Sequence, residues 1–338
     1  PSPALILHKT SHLHNQTPAH TRTHAHIYTI PLSKDQTGNL NSSRPPTDQP
    51  THIQKHSLVS APPFELMAVL SNQFTFSIGK MGSQDASETP ALATNPDFIF
   101  FTDFDGTITL EDSNDFLTDN VGYGFENRRA GNLLVLEGKK HFRDSFREMM
   151  DSVSMPFDRC VDYLKANVKL DPAFKDFYAW CRARNVPVVI ISGGMRPIIR
   201  ALLVQWLGEA EVDGHIQIVS NEVAPREGKA SINEEGGWRI VYHDDSVHGH
   251  DKSIELRKYS SLPTRPVMFY AGDGVSDLSA ARETDLLFAK RDKDLVAYCE
   301  KEGISFVTFN DFSDIHETVK QIVEGKISVK DAARGRIH

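Results

Sequence analysis

Cysteine is scarce: Cys160, Cys181 and Cys299 are the only three in 338 residues, odd in number and far apart. That argues against a disulfide framework and makes the cytoplasm the expected compartment. Also missing is any apolar run near the ~20 residues a membrane helix needs. The start of the chain has no basic stretch followed by an apolar one, as a secretory signal would. Positive charge is in deficit, with 37 Lys+Arg against 45 Asp+Glu. Nucleic acid, which wants a basic face, is therefore not an expected partner. What is present, 39% hydrophobic residues, suffices for a substantial core in one large domain or two smaller ones.

The apolar residues are unevenly spread. Residues 1–66 hold eight of the fifteen histidines, much Thr, Pro, Ser and Gln, and no apolar periodicity. Such a stretch cannot bury enough surface to offset its chain entropy, so residues 1–95 are expected to be a disordered extension. Its histidines lack regular spacing and acidic or Cys partners, which argues against metal binding. The chain opens without Met, while Met67 and Met81 lie just before the apolar segments. Part of the first 80 residues is accordingly expected to be absent from the mature protein.

From Pro96 the pattern changes. Short apolar runs at Phe98–Phe104, Val186–Ser192, Val267–Ala271 and Leu286–Ala289, with a weaker one at Phe306–Phe309, read as strands buried on both faces. Helical patterns at Ala173–Arg184, Met195–Leu207, Lys252–Tyr259 and Ser276–Glu283 fall between them. This alternation predicts an α/β fold, a doubly wound, Rossmann-like parallel sheet with helices on both sides and ligands beyond the carboxyl ends of the strands. Residues 112–169 break the alternation with helical patterns only, too long for an ordinary connection. They are expected to be a small helical cap inserted after the first strand. The core then comprises 96–111 and 170–325, with 326–338 a tail.

Four polar clusters fall at or just beyond strand ends: Asp103-Phe104-Asp105-Gly106-Thr107, Ser192-Gly193-Gly194, Lys252 after Gly249-His250-Asp251, and Gly272-Asp273-Gly274-Val275-Ser276-Asp277. Singly, each is ordinary turn chemistry. Together and in this order they suit phosphoryl transfer. A phosphate monoester repels an anionic attacker, so a carboxylate can act only beside cations. Asp103, Asp105, Asp273 and Asp277 form the expected metal set for Mg²⁺, completed by waters, a phosphate oxygen and a backbone carbonyl. Lys252 supplies a second positive charge. Ser192 and the amides near Gly106 and Gly193 would bind phosphate oxygens. Asp103 is the expected nucleophile, forming an aspartyl-phosphate. Asp105 is the expected acid, then base, and Thr107 is expected to order the loop through a local side-chain bond.

These clusters resemble the four motifs of the haloacid dehalogenase superfamily of phosphatases over residues 98–325. Within it the chain looks like the phosphoserine-phosphatase-like branch with a helical cap. It is most similar to the fungal polyol-phosphate phosphatases, through Phe101–Thr107, Leu110–Asp115, Gly249–Ser253 and Gly272–Ala281. The resemblance implies a nucleophilic Asp103, an acid/base Asp105, phosphate binding by Ser192 and Lys252, and metal binding by Asp273 with Asp277. It also implies a small-molecule phosphate monoester as substrate.

Asp112 stands nine residues after Asp103, where phosphoserine phosphatases hold the substrate ammonium. Met149 stands where their cap has an Arg for the substrate carboxylate, unless Arg143 or Arg147 substitutes. That departure favours a polyol phosphate, with Asp112 and Ser113 as substrate contacts, over phosphoserine, phosphocholine or a methylthio-sugar phosphate. A catalytically silent binding protein would be the alternative from outside enzymes; no key residue is missing to support it. His243, Asp244, Asp245, His248, His250 and Asp251 could suggest a second metal site. Their expected use is loop structure, with His250 and Asp251 shaping the turn that holds Lys252.

Overall fold

The computed structural model describes residues 89–334. The disorder expected for residues 1–95 lies, as far as residue 88, outside the described residues. From residue 89 the chain is ordered: Pro90–Leu92 forms a 3₁₀ turn with Ala91 packed into the core. The boundary expected at residue 96 is therefore late. A single small side chain reaching the core leaves no periodic signal.

Seven strands, Phe98–Thr102 (β1), Val188–Met195 (β2), Ile216–Pro225 (β3), Trp238–Val241 (β4), Val267–Gly272 (β5), Leu286–Lys290 (β6) and Val307–Phe309 (β7), form one sheet. Its order is β4-β3-β2-β1-β5-β6-β7. All pairs are parallel except β3 with β4. Alternation along each strand feeds two separate cores. Phe100, Ile190, Phe269 and Phe288 face one side, while Ile99, Phe101, Val189 and Tyr270 face the other.

Helices cover both faces. Those inserted after β1 are Ser113–Val121 (α1), Phe125–Leu136 (α2), Phe142–Asp151 (α3) and Phe157–Asn167 (α4). Then come Phe174–Ala183 (α5), Arg196–Leu207 (α6), Glu209–His215 (α7), Lys252–Ser260 (α8), Leu278–Ala281 (α9), Asp294–Glu302 (α10), Phe312–Val323 (α11) and Val329–Arg334 (α12). Helices α5, α6, α7 and α11 pack on the Phe100 side, and α8, α9 and α10 on the Phe101 side. Phe177, Trp180 and Trp206 lie in or against the first core, as expected.

Several elements were not anticipated. β3 carries Gln217, Ser220, Asn221 and Glu222 and is only partly buried, so it lacks the apolar run of its neighbours. β4 is four residues long. Within the expected tail, Val329, Ala332 and Ala333 of α12 pack against the first core.

The two stem segments of the insertion meet in an isolated antiparallel bridge between Thr109 and Leu170. Leu110 N donates to Lys169 O and Asp171 N to Ile108 O, at 2.9 and 2.8 Å. Glu111 Oε2 accepts from Lys169 N. The helices are also fastened to the segment around β4. Arg143 Nη1 donates to Asp244 O, Tyr242 Oη donates to Arg143 O, and Trp238 Nε1 donates to Met155 O. Phe157 N bonds Ile232 O.

Phe100 is the packing centre of the first core: fully buried, edge-on to Phe177 at 4.7 Å and 6.3 Å from Phe288 and Phe312. Phe100→Ala is expected to cost about 3–5 kcal/mol in urea unfolding, the range for a truncated core aromatic. A cost below about 1 kcal/mol would be inconsistent with this packing.

Candidate active site

The strand order reverses at β1, which has β2 on one side and β5 on the other. Open α/β sheets bind ligands at such a point, beyond the carboxyl ends of the strands. Asp103 follows β1 directly, its amide donating to Ala271 O of β5 at 2.9 Å. Gly106 turns the chain with φ +73°, and a Cβ there would overlap the Asp273 carboxylate. The turn is thus limited to glycine twice, by backbone angle and by space.

Lys252, at the start of α8, is fully buried and lies 2.7 Å from Asp103 Oδ2 and 2.6 Å from Asp277 Oδ1. Burial alone would lower its pKa; the two carboxylates more than reverse that and raise it, so the ammonium stays charged. Asp277 is spent on this support. Its Oδ1 accepts from Lys252 Nζ and from Tyr270 Oη, and its Oδ2 from the amides of Asp273 and Gly274, all within 3.0 Å. These four bonds tie Asp277 to Lys252 and to the β5 turn, beside Asp103 and Asp273.

Asp273 differs. Its nearest polar side-chain atoms are Thr107 Oγ1 at 3.5 Å and Lys293 Nζ at 3.8 Å. Burial, then the charges of Asp277 and Asp103, push its pKa up to about 8. Asp103 is raised to about 6, by burial first, against the pull of Lys252. One oxygen from each of Asp103, Asp273 and Asp277 lies within 4.8 Å of the others. Buried carboxylates that repel each other, two of them with oxygens to spare, fit a hard divalent cation.

Asp105 points elsewhere. Its Oδ1 accepts from Ser113 N and its Oδ2 from Asn114 Nδ2, both at 2.9 Å. Its side chain therefore faces the start of α1, outside the group formed by the Asp103, Asp273 and Asp277 carboxylates. Burial, then the charge of Asp112, holds its pKa well above the usual carboxylate range.

Other expectations are redistributed. Gly106 N donates to Thr109 Oγ1 and is not free for phosphate. Thr109, not Thr107, orders this loop, its hydroxyl also donating to Phe104 O. Asp112 caps α1, its Oδ1 accepting from the amides of Asn114 and Asp115. Ser113 is buried against Asp105. Met149 is buried in the insertion's core. Arg143 is bound to Asp244 O and Ser246 O and stacked on Tyr242 at 4.4 Å, and Arg147 lies 5.6 Å from the same ring.

Ser192 ends the apolar part of β2, and its Oγ accepts from Gly194 N at 3.0 Å. Gly194 backs onto Asp105, and a Cβ would crowd that carboxylate at 2.6 Å. Asn221 and Tyr270 serve the site without having been singled out. Tyr270 sits inside an apolar strand run, and Asn221 carries no spacing signal. Asp251 caps α8 as expected, accepting from Ser253 N. His243 contacts Glu255, and Asp244 accepts from Ser246 N and Asp251 N. Among the described residues the Asp103, Asp273 and Asp277 group is the candidate metal cluster.

Comparison with known proteins agrees with this geometry. Residues 100–282 match the family described as haloacid dehalogenase-like hydrolase. The chain belongs to that family. It is a phosphatase of the haloacid dehalogenase type, a phosphoric monoester hydrolase. Pdp3-interacting factor 1 of Schizosaccharomyces pombe is 51% identical over 233 residues, covering 68% of this chain and 98% of that protein. Polyol phosphate phosphatase PYP1 of Saccharomyces cerevisiae is 47% identical over 241 residues, covering 69% and 97%. The 2-hydroxy-3-keto-5-methylthiopentenyl-1-phosphate phosphatase of Bacillus cereus is 27% identical over 230 residues, covering 67% and 98%.

For a haloacid dehalogenase-type phosphatase, the raised carboxylates make metal and pH interdependent. Asp273 is raised from 3.8 to about 8 by folding, so the metal-free protein binds an extra proton across that window. Its contribution to stability is full below about pH 4 and is lost as pH rises toward 8. A bound cation removes the repulsion. The stabilisation of the thermal midpoint by magnesium chloride over EDTA should therefore grow between about pH 5 and pH 8. An increment that stays flat or shrinks would contradict the assignment.

Proposed function

We propose that this protein hydrolyses a polyol phosphate, with Mg²⁺ held by Asp103, Asp273 and Asp277, Asp103 as nucleophile and Asp105 as acid and base. The observation that carries the chemistry is the buried Lys252 beside Asp103, with the Asp105 carboxyl on the opposite side of the turn. When bound, the cation neutralises the attacking carboxylate and the phosphate and absorbs charge that develops between them.

Asp103 Oδ attacks phosphorus, and the bond to the leaving alkoxide breaks as Asp105 protonates that oxygen. Burial raises the Asp105 pKa and so favours the protonated form that this step needs. Asp105 then takes a proton from the water that cleaves the aspartyl-phosphate, returning Asp103 and releasing phosphate. Lys252, Ser192 Oγ and the Gly193 amide hold the phosphoryl oxygens. Ser113 and Asn114 orient Asp105, and Asp277 orients Lys252. The insertion at 112–169 acts as a cap over the site.

The substrate reading rests on the 47% identity to polyol phosphate phosphatase PYP1. It also rests on the insertion's cations. Arg143 is engaged by two carbonyls and Arg128 by Asp115 and Asp119 at 2.6 and 2.7 Å, so neither is free for a substrate carboxylate. Asp112 uses Oδ1 for its helix cap, and Oδ2 would accept a substrate hydroxyl. Three free, buried cysteines suit the cytoplasm as the working compartment.

Mg²⁺-dependent phosphate release should vanish in Asp103→Asn and fall about 10²-fold or more in Asp105→Asn, the scale of acid–base assistance. Full activity in Asp103→Asn would end the proposal. A separate panel of ribitol, sorbitol and glycerol phosphates against phosphoserine, phosphocholine and a methylthio-sugar phosphate reads the substrate. The polyol phosphates should give the highest kcat/KM; a clear preference for phosphoserine would reverse the reading of Met149.

A further inference from the structure

His250 is 3% exposed, and its Nδ1 lies 2.8 Å from the carbonyl oxygen of Ser192, 58 positions earlier in the chain. A carbonyl can only accept, so the ring donates through Nδ1–H. Its Nε2 is buried with no hydrogen-bond partner, as suits the bare lone pair of that tautomer and not a second N–H. Burial, more than the charges of His243 and Lys252, pushes the pKa down to about 4, so the ring is neutral at working pH.

The bonded carbonyl belongs to the peptide that also carries the Gly193 amide. A trans peptide is planar, with N–H and C=O on opposite sides. Fixing the Ser192 carbonyl on His250 therefore fixes the direction of Gly193 N–H. The following carbonyl is held as well: Asn221 Nδ2 donates to Gly193 O at 2.7 Å, and Asn221 Oδ1 accepts from His243 N at 2.8 Å. Glycines at 193 and 194 give this turn little rigidity of its own, so its shape must come from such outside contacts.

We propose that His250 is a positioning residue for phosphate binding: by donating from Nδ1 to the Ser192 carbonyl it aims the Gly193 amide and the Ser192 hydroxyl at the phosphoryl group. This rests on the phosphate-binding role given above to Ser192 and Gly193. It also gives the segment before α8 a second use. Two residues beyond His250 stands Lys252, so one short stretch sets both the cation and the hydrogen-bond donors of the phosphate site.

The test compares His250→Leu, which removes the donor, with His250→Asn, whose Nδ2 can stand where Nδ1 stood. The readouts are KM, kcat and the inhibition constant of inorganic phosphate. His250→Leu should weaken phosphate inhibition and raise KM by roughly three- to tenfold, the scale of one neutral hydrogen bond. His250→Asn should recover most of that loss, and thermal midpoints show whether both fold. Equal defects in the two folded variants, or none in His250→Leu, would overturn the proposal.

Ser192→Ala separates the two levels. If it weakens phosphate while His250→Leu does not, the positioning role alone fails; if neither does, the phosphate site itself is misassigned. Should His250→Leu not fold, the ring tautomer of the unaltered protein is read by long-range ¹H–¹⁵N NMR. A neutral Nδ1–H form perturbed by inorganic phosphate is expected. An Nε2–H form, or a ring indifferent to phosphate, refutes it.

Discussion

A fully buried ammonium must be paired, and the pairing of Lys252 organises everything around it. Its partners come from two strand ends, Asp103 after β1 and Asp277 after β5. Removing one partner of such a group leaves an uncompensated buried charge, which costs about 3–5 kcal/mol. The two turns are therefore locked to each other through the side chain that also serves the phosphate. Tyr270 adds its hydroxyl to Asp277, and Gly272 and Gly106 keep space for the carboxylates beside them. Because this cation is fixed before any ligand arrives, little reorganisation remains for the reaction itself.

The same arrangement separates two carboxylates only two residues apart. Asp103 faces Lys252 and the metal candidates, whereas Asp105 faces the amide of Ser113 and the side-chain amide of Asn114. One environment supplies a cation to its carboxylate and the other only neutral hydrogen-bond donors beside the charge of Asp112. Such a division is what lets neighbouring acids take different parts in one reaction.

Much of this was legible in the sequence, and the remainder shares one physical cause. β1, β2, β5 and β6 are buried on both faces and announce themselves as apolar runs, and the four polar clusters mark where those strands end. β3 and β4 form the antiparallel edge, where partial exposure permits Gln217 and Glu222 and blurs the pattern, while Asn221 is buried and fully bonded through its side chain. Within the site, residue types gave the chemistry but not the assignment of each oxygen. Asp277 reads as a ligand in sequence; only the convergence of Lys252, Tyr270 and two amides on it reveals that it also supports the buried ammonium. Asn221 acts through contacts with Gly193 and His243, 28 and 22 positions away, which no local pattern encodes. Ser113 and Asp112, expected as substrate contacts, have contacts turned inward to Asp105 and to the helix cap.

The insertion is joined to the core by its stem, yet it is also stitched to residues 226–248. Arg226 bonds Asp151, Ser154 accepts from Gly236 N, Trp238 packs edge-on to Phe157 at 5.5 Å, and Arg143 N donates to Val247 O. These two stretches are far apart in the chain yet bonded to each other at several points. A chimaera that exchanged residues 112–169 alone would strand the carbonyls and the indole that join them. Any transplant of the helical insertion would therefore have to carry the β4 segment with it.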